Sequence, residues 1–437
     1  RGATERSEGV EAQPMPGQAV RCGASAGRLG HVIRVPFDSP SARSGTGSAP
    51  VAERPSAARE SKRSRCRVPF DSLRSLRDRG RRNTPPTPSV AVDMTVPALS
   101  LLDLVPVRTG QTSAQAVAAS LALARCADGL GLRRLWYAEH HNAVNFASSA
   151  TSLLIARAAE HTTRIRLGAG GVMLPNHSPL MVAEYYGTLR EMYGDRIDLG
   201  LGRAPGTDPA TARALRRGAE TTDTFIEDVL ALHAYLAPAE LRAAHHANAR
   251  ITAYPGVGTK VPLWMLGSSL DGAQVAAYLG LPYAFASHFA PELRHRAIEL
   301  YRNRFTAEFE TAEISEPYVM AGVNVLVAPT DAEAEELFTT AQQMAAGIRT
   351  GRRMPLQPPV ADLAAALGPE VARFVEGFQA VRAVGSPETV VAQLGSIVED
   401  LGLDEVIVTT YCYDPAMRVR SFELLAQAWG LAPAASS

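Results

Sequence analysis

Hydrophobic residues follow two regimes along this chain of 437 residues. In residues 1 to 92 they are scattered among Ser, Arg, Pro, Gly and Ala without a period, and from Met94 onward short apolar runs alternate with stretches of helical spacing. The first run, Ala98 to Val105 (ALSLLDLV), reads as a strand. Ser113 to Leu130 then places Val117, Leu121, Ala124 and Leu130 on one helical face before Gly131 stops it. Further strands are expected at Arg133 to Ala138, Ile165 to Leu174, Ile197 to Leu201, Pro262 to Leu266, Tyr283 to Ala286, Tyr318 to Val327 and Glu405 to Thr410. Helical patterns separate them at Ser148 to His161, Pro179 to Tyr193, Thr222 to Leu236, Leu270 to Tyr278, Pro291 to Phe309, Asp331 to Gly347 and Pro387 to Leu401.

Eight strands alternating with helices is the count of a (β/α)8 TIM barrel, with the length beyond the ~250 residues of a minimal barrel taken up by insertions. A doubly wound open sheet is the competing architecture. Against it, no GxGxxG follows the first strand, where a dinucleotide site would be announced. Two irregular stretches, Ala237 to Thr259 and Thr350 to Ser386, read as the insertions, which in such scaffolds often form binding loops or lids.

Charge sharpens the division at Met94. Residues 1 to 92 carry 17 Lys or Arg against 8 Asp or Glu, net +9, so the rest of the chain holds 27 against 36, net −9. An acidic globular body argues against nucleic acid as a partner, because phosphate binding needs a concentrated basic face. The leader also repeats itself, with RVPFDSPSARS from Arg34 and RVPFDSLRSLR from Arg67. Such a composition buries too little apolar surface to offset the entropy of ordering, so residues 1 to 93 are expected to be disordered. It is too rich in proline for the amphipathic helix of a transit peptide, whereas a nucleic-acid-binding tail is an open reading if the leader is translated. Only two of the 44 basic residues are Lys, a bias that also fits GC-rich upstream DNA read as protein, and intact mass of the native protein separates these readings. The remaining sequence, residues 94 to 432, is expected to form one domain. No run of ~20 apolar residues or signal-peptide core is present, and a cytoplasmic protein is expected, with no membrane as partner. Cys22, Cys66, Cys126 and Cys412 are far apart and include no CxxC pair, which excludes a disulfide framework or a cysteine zinc site.

Candidate chemistry gathers where the expected strands end. WYAEHH, Trp136 to His141, sends a strand into a carboxylate and two imidazoles at the barrel end that carries catalytic groups. Alternation along a strand keeps His140 and His141 from sharing one ion, although Glu139 and His141 could do so, with His177 only a lone further candidate. No metal site is expected. LGAGGVMLPNHSP places Gly170 and Gly171 late in the third strand, where glycine marks a bulge or the close approach of another group. GDRIDLGLGRAPGTD delivers Arg203 beyond the fourth strand, either to a surface carboxylate or to a phosphate. PLWMLGSSLDG runs through Gly267, Ser268 and Ser269 into a helix, either as an ordinary N-cap or as an anion site formed by free N–H groups.

Between Ala98 and Gln427 the chain resembles the bacterial-luciferase-like flavin-dependent oxidoreductases. WYAEHHN, GAGGVMLPNHSPL, GDRIDLGLGRAPGTD, LGSS and VGSPETVVAQL with DEVIVTT carry the resemblance, in the family's order. It implies that His140 is the catalytic histidine, with Glu139 and His141 beside it. Gly170 and Gly171 would form the bulge, often with a non-prolyl cis peptide, that supports the flavin ring, and Arg203, Ser268 and Ser269 would meet the flavin phosphate. Gly202 stands where the light-emitting enzymes have a reactive cysteine, so bioluminescence is not implied. The expected activity is monooxygenation of a small organic substrate by reduced FMN and O2, with a flavin reductase supplying reduced FMN. Alternatives are hydride transfer with the deazaflavin F420 and a non-catalytic flavin-binding paralogue. The family often dimerises through barrel helices, which leaves a homodimer as an open reading.

Overall fold

The computed structural model describes residues 96–204, 207–215, 224–241, 251–376 and 381–431, so the leader and the expectation of its disorder lie outside the described residues. Nine parallel strands make one sheet: β1 (Ala98–Asp103), β2 (Arg134–Tyr137), β3 (Arg166–Met173), β4 (Ile197–Gly202), β5 (Leu263–Gly267), β6 (Tyr283–Phe285), β7 (Val319–Val327), β8 (Arg382–Gly385) and β9 (Glu405–Thr409). Strands β1 to β7 pair in sequence, β7 pairs β9, and β9 returns to β1, which closes an eight-stranded barrel. β8 stands outside the closure and pairs only with the far end of β7, Asn324–Val327.

Twelve described helices accompany the strands: α1 (Ser113–Gly129), α2 (Thr151–Ala159), α3 (Pro179–Tyr193), α4 (Pro209–Ala214), α5 (Phe225–Leu236), α6 (Leu270–Leu279), α7 (Arg294–Arg304), α8 (Asp331–Arg349), α9 (Leu363–Leu367), α10 (Pro369–Glu376), α11 (Pro387–Leu401) and α12 (Pro415–Ala428). None of them is long and apolar enough to cross a membrane. Helices α3 and α11 have the bounds expected from sequence, because each begins with Pro and ends at a glycine of positive φ, Gly194 at 71° and Gly402 at 60°.

Three expectations change. The stretch Thr350 to Ser386 is not irregular, since it holds α9, α10 and β8. The helix after the last barrel strand is α12, which the apolar pattern did not mark, because its buried face carries Arg418, paired with Asp103 at 2.9 Å. Helix α1 is rotated from its expected face: Ala116, Ser120, Leu123, Ala124 and Ala127 are buried, and Val117 and Leu121 only flank the core. Small side chains bring α1 close to the sheet, where the Ser120 hydroxyl donates to Asp103 at 2.5 Å.

The main apolar core lies between the sheet and the helices, and a second cluster, including Leu102, Trp136, Trp264, Ala284, Met320 and Ile407, lies inside the barrel. At the N-terminal ends of the strands the interior is polar. Arg134 donates to Glu405 at 2.7 and 3.1 Å and to Asp198 at 2.6 Å. Arg166 and the Trp136 indole also donate to Asp198, while Tyr318 and Ser100 donate to Glu405. The Arg134 guanidinium also lies 4.7 Å from the centre of the Trp264 ring, a cation–π contact that closes the floor.

Candidate active site

The opposite, C-terminal end of the barrel receives the sequence-marked residues. β2 ends at Tyr137, and its backbone extension places Glu139 in the interior with only 1% of its surface exposed. A buried carboxylate is tolerated only when hydrogen-bonded. Here the Glu139 Oε1 accepts from the Nε2–H of His141 at 2.8 Å and of His177 at 2.9 Å, and from Asn176 at 3.3 Å, while Oε2 accepts from the Met173 amide at 3.1 Å. Burial alone would raise its pKa, yet these bonds outweigh it and hold the carboxyl at about 2. Glu139 is therefore a fixed anion that ties the loop after β2 to the end of β3.

His177 is the residue that sequence reasoning undervalued. The short turn Leu174–Asn176 after β3 carries it onto Glu139, a proximity that no local spacing announces. Glu139, His141 and His177 bring their ligand atoms within 4.8 Å of one another and could in principle hold a cation. Their direct contacts of 2.8 and 2.9 Å are hydrogen-bond lengths, shorter than the roughly 3.3 Å that separates ligands on a zinc tetrahedron with ~2.05 Å bonds. The arrangement is that of a hydrogen-bonded network.

His140 differs from its neighbours. Its backbone N–H donates to the Ser148 carbonyl at 3.1 Å, and its ring leans on Phe146 with centroids 5.3 Å apart. Nδ1 is buried without a protein partner. Burial, reinforced by the positive charge of Arg353, brings its pKa down to about 4, so the ring is neutral at pH 7. Five buried side-chain polar atoms among the described residues lack a partner: His140 Nδ1, Asn145 Oδ1, Ser148 Oγ, His288 Nδ1 and Thr409 Oγ1. All five follow or end barrel strands at this mouth. Orphaned buried polar groups are uncommon and call for a ligand or solvent partner.

Beside His140, on β3, Gly170 and Gly171 are joined by a cis peptide, and the β3–β4 register shifts between Ala169 and Val172. No side chain fits here. A Cβ on Gly170 would lie 2.9 Å from the Leu102 side chain, and one on Gly171 would lie 2.7 Å from the Gly200 carbonyl oxygen. The result is a backbone shelf on the wall of the mouth, suited to a flat ring.

Arg203 follows β4 and pairs with Asp271 in the first turn of α6 at 3.0 Å, with both side chains more than 40% exposed. Gly267 ends β5, Ser268 follows it, and Ser269 is the N-cap of α6, its hydroxyl accepting from the Gly272 amide at 3.4 Å. The two alternatives left by the sequence for Arg203, carboxylate pair or phosphate clamp, thus meet at one place, and Asp271 is a part of it that the sequence did not flag. The donor set, an arginine with serines at a helix start, suits a phosphate.

Comparison with known proteins agrees with this geometry. The profile of the family described as luciferase-like monooxygenase matches residues 99–405. A luciferase-like monooxygenase of Escherichia coli strain K12 is 44% identical over 328 residues, covering 75% of this chain and 95% of that protein. The crystal structure of apo-MsnO8 superposes with a TM-score of 0.68 at 36% identity, covering 77% of this chain and all of that one. Two more distant barrels share the fold. The oxygenating constituent of 3,6-diketocamphane monooxygenase from Pseudomonas putida, solved with FMN, has a TM-score of 0.57 at 21% identity and covers 77% of this chain and 98% of its own. An F420-dependent secondary alcohol dehydrogenase has a TM-score of 0.58 at 14% identity, covering 76% and 99%. The profile match and the identity to relatives along nearly their whole length show that this chain is an enzyme of the luciferase-like monooxygenase family.

Proposed function

We propose that the enzyme uses reduced FMN and O2 to oxygenate a small organic substrate at the C-terminal mouth of the barrel. The observation that carries this reading is the pairing of the Gly170–Gly171 shelf with the neutral His140 ring, whose buried Nδ1 has no protein partner. The shelf accepts one face of an isoalloxazine ring, while Arg203, Ser268 and the Ser269 helix start hold its phosphate. FMN, when bound, supplies the electrons that activate oxygen. His140 accepts or returns a proton during oxygen transfer, a role open to a neutral imidazole because it can act first as a base. Glu139, gripped by His141 and His177, fixes the loop that carries His140. Leu174 and Met173 at the end of β3 help exclude water.

A flavin reductase is the proposed source of the reduced FMN. A homodimer is supported by the apolar outer face of α2 and α3, where Leu153, Met181, Tyr185 and Met192 are 71, 48, 47 and 59% exposed. The F420 reading rests on the F420-dependent neighbour of the same fold. Gly202, in place of the reactive cysteine, continues to speak against light emission.

The test is the His140→Ala variant, assayed for oxygen consumption with reduced FMN and for FMN affinity. The expected outcome is a turnover loss of about 10²–10⁴-fold with FMN affinity retained. Loss of affinity in a folded variant would instead make His140 a cofactor contact.

A further inference from the structure

Helix α8 ends two residues beyond Gly347, and the chain then doubles back on it. A Cβ on Gly347 would lie 2.7 Å from the Arg352 carbonyl oxygen, so the bare glycine lets the returning strap pack this closely. Gly351, at a φ of 73°, makes the turn. The strap is then pinned at several points. Leu356 donates its amide to the Val107 carbonyl at 2.8 Å and accepts from the Thr109 amide at 2.9 Å, while Gln343 of α8 donates to the Pro358 carbonyl at 2.8 Å. Val107 in turn donates to the Asn145 carbonyl at 2.9 Å. One residue thus ties the strap to the loop that follows β2.

Between strap, helix and loop lies a recess of about 250 Å³, part of it open to solvent, whose lining includes Asn145, Gln343, Met344, Arg352, Arg353 and Met354. Arg352 and Arg353 are exposed, and neither meets a carboxylate among the described residues. Asn145 is only 1% exposed, yet its Oδ1 has no hydrogen-bond partner in the protein. An unpaired buried acceptor beside two uncompensated cations asks for a ligand with both a donor and an anionic group. The recess also adjoins the reaction site. Asn145 precedes Phe146, against whose ring His140 leans at 5.3 Å between centroids, and Met344 packs on the apolar cluster inside the barrel to which Phe146 belongs.

We propose that this recess binds the acidic end of the organic substrate: Arg352 and Arg353 hold a carboxylate, and the Asn145 Oδ1 accepts from an N–H or O–H on the carbon beside it. The rest of the substrate passes Phe146 toward His140 and the shelf. This rests on the monooxygenase reading above and narrows its substrate to an organic acid with a neighbouring hydroxyl or amide. Arginine suits the task because its planar fork meets both carboxylate oxygens at once. Met344 and Met354 offer the carbon skeleton a pliable apolar wall. Neither arginine belongs to the shelf or to the Arg203 site, so acid and flavin recognition are separable.

The experiment titrates the full chain, labelled with 15N-histidine and with the His140 signals assigned through His140→Ala, with mandelate, phenylacetate and benzyl alcohol. These share a ring and carry carboxylate plus hydroxyl, carboxylate alone and hydroxyl alone. Each is run with and without oxidised FMN, whose own affinity is measured in parallel. The expected result is that mandelate binds tightest, shifts the His140 signals and does not compete with FMN. Arg353→Gln should weaken mandelate and phenylacetate at least tenfold with FMN affinity unchanged, and Asn145→Ala should abolish the preference for mandelate over phenylacetate. Benzyl alcohol bound as tightly as mandelate, mandelate indifferent to Arg353→Gln, or no binding of either acid while FMN binds normally overturns the assignment. Competition between mandelate and FMN would make the arginines part of the phosphate site, and binding that leaves His140 unmoved would set the recess apart from the reaction; either result removes the substrate role. Should Asn145→Ala fail to fold, Arg353→Gln, at an exposed position, decides by itself. Failure of FMN to bind counts against the flavin reading, and the acid titrations without FMN still decide this one.

Discussion

At the floor of the barrel Arg134 makes three hydrogen bonds to two buried carboxylates, Asp198 and Glu405, whereas at the mouth the buried Nδ1 atoms of His140 and His288 have no hydrogen-bond partner in the protein. Both ends bury polar side chains beneath the same strands. At the floor Arg134 and the Trp136 indole reach across the barrel interior to carboxylates supplied by β4 and β9, which is what stability requires of buried charge. At the mouth the chain leaves polar groups unsatisfied and exposes bare backbone at Gly170 and Gly171, where packing against Leu102 and Gly200 admits no Cβ, and that is where a barrel enzyme places its ligands. The contrast teaches which end serves folding and which serves chemistry without reference to any motif.

The comparison is broken most forcefully at the floor. Glu405→Ala takes the acceptor from Tyr318 and Ser100 and leaves Arg134 with Asp198 alone, and removal of one partner from a buried ion pair costs about 3–5 kcal/mol. Urea unfolding should show that loss for Glu405→Ala and a change below ~1 kcal/mol for His140→Ala, whose ring has no Nδ1 hydrogen bond to lose. Equal losses would erase the distinction between the two ends.

A second way to sharpen it is pH. The folded-state values of His140 and His288, each brought down to about 4 chiefly by burial, lie below the unfolded value of roughly 6.5. An unfolded chain therefore takes up protons that the folded one refuses, so stability is full above pH 6.5 and falls as pH drops toward 4. The carboxylate of Glu139, held at about 2, adds a loss that begins only below about 4.5. Thermal melts of the native protein and His288→Asn between pH 7 and 4 should diverge at neutral pH and converge on acidification. Parallel curves would mean that His288 titrates as in the unfolded chain.

The smallest effect concerns Arg203. Its partner Asp271 is half-exposed, and such a pair contributes at most about 1 kcal/mol. Because Asp271 competes for the cation that the phosphate would use, Asp271→Asn should tighten FMN binding a few-fold at low salt, an advantage lost at 1 M salt. Weaker binding in the variant would place the phosphate elsewhere.

Much of this division was legible in the sequence, for physical reasons that differ by element. Strand ends and glycine pairs are local signals, so Glu139, His140, Gly170 and Gly171 could be placed at the mouth before any fold was known. Helices α3 and α11 announce themselves through Pro at the start and Gly at the end. The place of His177 and His288 could not be read, because it is set by neighbours that only the closed barrel brings near: Glu139 for one, Gly322 for the other. The floor was equally hidden. Arg134, Asp198 and Glu405 sit inside apolar strands 271 residues apart at their extremes, and register alone unites them. The buried face of α1 was misjudged because close packing favoured Ala and Ser over the larger Val117 and Leu121.

The central claim is that the open shelf at the mouth is a flavin site. It is tested most directly by anaerobic titration of the chain, and of Gly171→Ala, with reduced FMN and with reduced F420. The account predicts saturable binding that prefers FMN and is lost in Gly171→Ala, where the new Cβ would meet the Gly200 carbonyl oxygen at 2.7 Å. Preference for F420, or FMN binding that survives a folded Gly171→Ala, would contradict it.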